Sequence, residues 1–135
     1  MAQNPTLLEI LGGQPVIEAV VEEFYQRVLA DPALRQFFAG VPMRRLIGHQ
    51  VAFISRTLSG KPYNPAVMQK AHFGKGITDV HFDRVAQHLV ETLRSMGVSE
   101  SLVAEVVARV APLRVDVVER RAAAAPGVLA AEAAL

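Results

Sequence analysis

Three polar side chains in this sequence stand where apolar ones would be expected. In QKAHFGKGI, residues 69–77, His72 lies between Ala71 and Phe73, just ahead of two glycines that should stop a helix. Gln50 shares with Leu46 and Phe53 the three- and four-residue spacing of one helix face, and Tyr25 falls between Val21 and Val28–Leu29 on another. A buried polar group left without a partner costs about 1–3 kcal/mol, so each must be satisfied. Two readings follow. Tyr25 and Gln50 bond each other and His72 bonds a backbone carbonyl, all as ordinary core contacts; or Tyr25 and Gln50 hold a polar ligand between them and His72 holds a metal.

The chemistry open to His72 is narrow. Its i+3 and i+4 positions are Lys75 and Gly76, so one helix supplies no second histidine or carboxylate for zinc or di-iron chelation. A lone imidazole suffices for iron whose equatorial ligands come from a macrocycle. That arrangement needs a flat apolar slot, and Phe37, Phe38, Leu46, Phe53, Met68, Phe82 and Val85 are material for one. Other chemistry is thin: GKGI lacks the strand and the remainder of a phosphate loop, and neither a nucleophile elbow nor HExxH occurs. His81 and His88 read as structural, exposed or half-buried.

The elements that must position these residues are helical. Ile17, Val20, Val21, Phe24 and Val28 recur at helical steps, between Gly12-Gly13 with Pro15 at one end and Asp31-Pro32 at the other. Residues 33–42 read as a short turn-like segment. A second helix is expected from Met43 to Leu58 and a short one from the Asn64-Pro65 cap to Phe73. A longer helix opens near Asp79 and ends at Gly97. Ser99 caps the last, in which Pro112 should force a kink or break. Strand alternation and internal repeats are missing, so the fold class is all-α.

Composition narrows the function classes. The 135 residues suit one domain with one core. With 14 Lys+Arg against 13 Asp+Glu there is no electrostatic footprint for nucleic acid. The absence of cysteine excludes disulfides, iron–sulfur clusters and thiolate zinc sites. No apolar run approaches a membrane span, and no export signal is read at the N-terminus, so a cytoplasmic protein with no membrane partner is expected. The tail, 122–135, is alanine-rich and split by Pro126-Gly127; fraying is expected there.

LLEILGG, VVEEFYQRVLADP, RQFF, HQVAF and QKAHFGKGIT…HF, in this order and spacing, resemble the group I truncated haemoglobins. The resemblance runs from about Leu7 to Val118 and implies a two-over-two helical sandwich around haem, with a globin domain over 1–121. By position it implies His72 as the proximal iron ligand, and Tyr25 and Gln50 as donors to bound oxygen. Phe38 would wedge the porphyrin and Leu46 would lie over the distal side. Phe53, Met68, Ile77, Phe82 and Val85 would complete the haem contacts, and Lys75, with Arg44, Arg45 or Lys70, would meet the propionates. His49, in GHQ, is a candidate sixth iron ligand; the alternative places it at the rim of the pocket.

The same resemblance implies O2, NO and other small diatomic ligands, nitric oxide dioxygenation or oxygen handling, and an external reductase, since the chain has no flavin or nicotinamide motif. A six-coordinate haem protein for redox, sensing or reactive-species chemistry is the alternative. Residues 99–121 contain no histidine for a covalent haem link, so haem b bound non-covalently is expected. The sequence departs from the family in three places: Ser59-Gly60 replaces a glycine pair, Leu8 an aromatic residue, and Ile54 the phenylalanine of tunnel-gating relatives. Val85, Val103, Val106 and Val110 suit either core or the lining of an apolar tunnel.

Overall fold

Capping chemistry accounts for most of the element boundaries. The structure is a computed structural model that describes residues 5–118. Among the described residues there are seven α-helices, two 3₁₀ turns and no strand. Helix α1, Leu7–Leu11, was not anticipated from periodicity because five residues are too few to show one. Its signal is a capping box: the Thr6 hydroxyl accepts from Glu9 N at 3.2 Å while Glu9 Oε1 accepts from Thr6 N at 2.8 Å. The turn into α2 requires glycine at 12, where φ is +121° and a Cβ would lie 2.6 Å from Val16 Cγ2.

Helix α2, Gln14–Ala30, carries Pro15 in its first turn and buries Ile17, Val20, Val21, Phe24, Tyr25 and Val28. The expected turn-like segment contains a 3₁₀ turn, Arg35–Phe38. Helix α3 runs Met43–Leu58 and buries Leu46, Gln50, Val51 and Leu58. At its end the Ser59 hydroxyl donates to Ser55 O at 2.7 Å. Helix α4, Pro65–His72, is capped by Asn64, whose side-chain oxygen accepts from Ala66 N at 2.9 Å. It stops one residue earlier than expected, because Phe73 is already extended.

Helix α5 spans Asp79–Ser95 and is capped by Thr78. His81 takes the place a glutamate usually holds in a capping box, Nδ1 accepting from Thr78 N at 3.0 Å. Its role is therefore structural, as expected. Helix α6, Glu100–Val110, is capped by Ser99 and buries Val103, Val106 and Val110. Pro112 has the anticipated effect: the helix tightens to a 3₁₀ turn, Ala111–Leu113, and resumes as α7, Arg114–Val117.

Helices α2 and α3 pack together, α5 and α6 pack together, and α2 meets α5 across the core, giving the two-over-two sandwich. Helix α4 lies outside that frame and packs chiefly against α7. The two layers are joined by Asp31, a residue expected only to end α2. Its buried carboxylate accepts from Ala33 N at 2.9 Å, from Arg84 at 2.8 and 2.9 Å, and pairs with His88 Nε2 at 2.7 Å. Arg84 first of all holds that carboxyl far below the usual carboxylate range. His88 is thereby structural too. The alanine-rich tail expected to fray, 122–135, lies outside the described residues.

Candidate functional site

Helix α4 delivers His72 into the interior as its last residue, 1% exposed. The carbonyl of Met68, one turn back, accepts from His72 Nδ1 at 2.8 Å. Since a carbonyl can only accept, the proton sits on Nδ1 and the lone pair of the neutral ring belongs to Nε2. Burial pushes the imidazole pKa down, against the pull of the Met68 carbonyl, which favours that neutral form. Beyond His72 the chain turns away through Gly74 and Gly76, at φ +80° and +74°.

Tyr25 and Gln50 reach the interior from the opposite side, 1% and 5% exposed. Tyr25 stands edge-on to Phe24 at 5.0 Å and to Phe38 at 5.8 Å between ring centroids, which fixes the plane of the phenol. Burial pushes the phenol pKa far above its ordinary range, so it stays a protonated donor. Leu46, 0% exposed, lies one helical turn before Gln50 on α3.

Three cavities sort the expected contact residues. The first, between α3 and α4 and about 260 Å³ in volume, is walled by His49, Gln50, Phe53, Tyr63, Val67 and Met68, with Arg56, Pro62 and Asn64 at its edge. The second, about 50 Å³, runs from Tyr25 and Gln50 between α2 and α5 toward Leu93, Val110 and Leu113, and is apolar apart from those two residues and Thr57. The third, about 20 Å³, lies against Phe37, Phe38, Lys75, Ile77, His81, Phe82 and Val85. Gln50 is common to the first two; Phe82 and Val85 are common to the last two. Leu46 and His72 line none of these three and are held in packed surroundings.

Some expectations sharpen in this geometry. Val85, Val106 and Val110 line the apolar cavity, as does Ile54, whereas Val103 is core. His49 is exposed and lines the α3–α4 cavity. Gly48 beside it is helical, and a side chain there would meet nothing within 4 Å, so packing does not demand the glycine. Lys75 is half-buried, and burial pushes its pKa down. Arg44, Arg45 and Lys70 are exposed. Tyr63, not among the expected contacts, is a further wall residue; its place is fixed by a bond to Asp116, 53 residues away, which no local pattern announces.

The donor set fits haem. A neutral, buried imidazole with its lone pair on Nε2 is the form that ligates iron, and two buried donors on the wall of one otherwise nearly apolar cavity suit a small polar ligand. The described residues contain no cluster of three or more His, Asp or Glu suited to a bare metal ion, and no helix among them is long and apolar enough to cross a membrane.

Comparisons with known proteins agree with that chemistry. The family model for bacterial-like globins matches residues 6–119. A group 1 truncated hemoglobin, GlbN, of Mycolicibacterium paratuberculosis is 43% identical over 117 residues, covering 86% of each chain. The GlbN of a Synechocystis species is 42% identical over 108 residues, covering 76% of this chain and 87% of its own. Among solved structures, a 2/2 hemoglobin from a Synechococcus species, in the cyanomet state and with covalently attached heme, superposes with a TM-score of 0.77 at 37% identity, over 86% of this chain and all of that one. The Fe(III) truncated hemoglobin of Tetrahymena pyriformis gives 0.78 at 30% identity, over the same shares. The chain therefore belongs to the bacterial-like globins, as a group 1 truncated haemoglobin that binds haem and, through it, small diatomic ligands such as O2.

Proposed function

We propose that this globin holds haem b non-covalently through His72 and uses bound O2 to convert nitric oxide to nitrate, with an external reductase restoring the ferrous state. The observation that carries the reading is the meeting of two buried donors, Tyr25 and Gln50, on the wall of one otherwise nearly apolar cavity. When bound, haem supplies the iron at which O2, NO and one electron combine to nitrate. The residues supply the rest. His72 would hold the iron through Nε2, its Nδ1 proton fixed on the Met68 carbonyl. The Tyr25 hydroxyl and the Gln50 amide would donate to an oxygen of a bound ligand; in a low-dielectric pocket such bonds are strong. The apolar cavity beside these donors would admit a small apolar ligand such as NO and disfavour water.

Phe38, Leu46, Phe53, Met68, Ile77, Phe82 and Val85 would hold the porphyrin, and Lys75 would meet a propionate. The globin domain occupies 1–121 and works in the cytoplasm. Stopped-flow mixing of the oxygenated protein with NO should discharge its spectrum within the dead time and leave one nitrate per haem; an oxygenated spectrum that survives NO overturns the reading. Tyr25→Phe should speed O2 release about tenfold to a hundredfold, the worth of a charge-assisted hydrogen bond. Acidified organic solvent should extract the haem completely, since residues 99–121 offer no histidine for a covalent link.

A second reading is favoured by one placement. His49 stands on the wall of the same cavity as Gln50, one position before it. An inward swing would make it a sixth ligand and shift the protein toward redox or sensing chemistry. His49→Ala should then turn a low-spin resting spectrum high-spin; an unchanged spectrum removes this alternative.

A further inference from the structure

Helix α4 carries the candidate iron ligand, yet only Met68, Ala71 and His72 of its eight residues are buried. To its packing on α7 is added a carboxylate from that helix, far along the sequence. Asp116, on α7, accepts from the Tyr63 hydroxyl on Oδ2 at 2.5 Å and from Gln69 Nε2 on Oδ1 at 2.7 Å. Tyr63 sits two residues ahead of α4 and Gln69 in its middle, so the two oxygens grip the helix at its entrance and along its length. The Tyr63 ring also stands edge-on to Phe53 of α3, 6.0 Å between centroids. Gln69 adjoins Met68, whose carbonyl orients His72.

We propose that Asp116 is a positioning residue for His72: its two hydrogen bonds set α4, and thereby the strength of the Met68–His72 bond and the hold of the imidazole on haem iron. This rests on the reading of His72 as the iron ligand. Both oxygens of the carboxylate are used, one for each donor. An ionised carboxylate accepts both donors at once, whereas its amide isostere keeps one acceptor oxygen and turns a donor toward the other partner. The phenol pKa, pushed up to about 12 mainly by the bond to Asp116, keeps Tyr63 a donor throughout the neutral range.

The neighbouring Arg114 supplies the comparison. It anchors the same α7 to α5, donating to Asp79 at 2.8 Å and to Asp83, and lies 4.7 Å over the Phe82 ring. It has none of these bonds to α4.

The test measures the iron–imidazole stretching band by resonance Raman on the ferrous protein just after photolysis of its carbon monoxide complex, together with the rate of haem transfer to excess apomyoglobin. Asp116→Asn should lower the band frequency, because a loosened Met68 carbonyl draws less on Nδ1–H, and should speed haem loss about tenfold. Tyr63→Phe, which removes one donor and leaves the carboxylate, should shift both in the same direction by less, and serves if the first variant does not fold. Arg114→Gln should leave the band in place. An unmoved band in fully loaded Asp116→Asn or Tyr63→Phe overturns the proposal, as does an equal shift in Arg114→Gln. His72→Gly separates the two claims. If it abolishes the band and free imidazole restores it, an unmoved band in Asp116→Asn sinks the positioning role alone; if the band survives, the assignment of His72 fails and the positioning role with it.

Discussion

The two sides of the candidate haem site are built by different physics. Tyr25, Leu46 and Gln50 sit on α2 and α3, helices of 17 and 16 residues that pack on each other within the main core. His72 sits on an eight-residue helix outside the sandwich, held by a cap, a short bond network and α7. On the first side, position follows from buried area, at roughly 25 cal/mol per Å² of apolar surface. On the second, it follows from a few hydrogen bonds worth about 1 kcal/mol each. Tyr25 and Gln50 should therefore be as rigid as the whole fold, while His72 should respond to local change.

That contrast can be broken by unequal responses to substitution. Leu46→Ala, at a fully buried position, should cost about 2–5 kcal/mol of global stability, read as a lower urea midpoint with an unchanged slope. A loss below about 1 kcal/mol would mean that this face of α3 is not core. Asp31→Asn, at the link between layers, should cost about 1–3 kcal/mol near neutral pH. It should also flatten the acid side of the stability profile. Because the folded-state pKa of Asp31 is depressed, its contribution is complete above the unfolded carboxylate pKa, about 4, and fades as pH falls below it toward the folded value. Equal acid sensitivity in wild type and variant would show that other carboxylates dominate.

Asn64→Ala should have the smallest global effect, about 0.5–1 kcal/mol, because it unties only the first turn of α4. Its signature is local: hydrogen exchange should quicken over 65–72 while 46–58 keep their protection. Uniform quickening in both segments would erase the distinction between the two sides.

The same contrast explains what could be read from the sequence. The inward faces of α2 and α3 are periodic, so the burial of Tyr25 and Gln50 followed from spacing alone, and α3 has the bounds that its Pro42 and Ser59 flanks suggested. The burial of His72 at a helix end was legible from the Asn64-Pro65 cap and the glycines beyond, and its bond to a backbone carbonyl was one of the two readings open at that point. Helix α1 is too short for a period, and its capping box passed unread. The contacts that tie the parts together were not legible. Asp31 to Arg84 and Tyr63 to Asp116 are each separated by 53 residues, and a polar residue on a helix surface gives no local sign of which distant partner it meets.

Gln50 lies on the wall of both the slot between α3 and α4 and the apolar cavity behind Tyr25. One amide thus borders two compartments, so any substitution at position 50 reshapes both at once. The valines and leucines farther along the apolar cavity, such as Val85, Leu93 or Val110, border only one of these two, so evolution can remodel it there and leave the slot between α3 and α4 as it is.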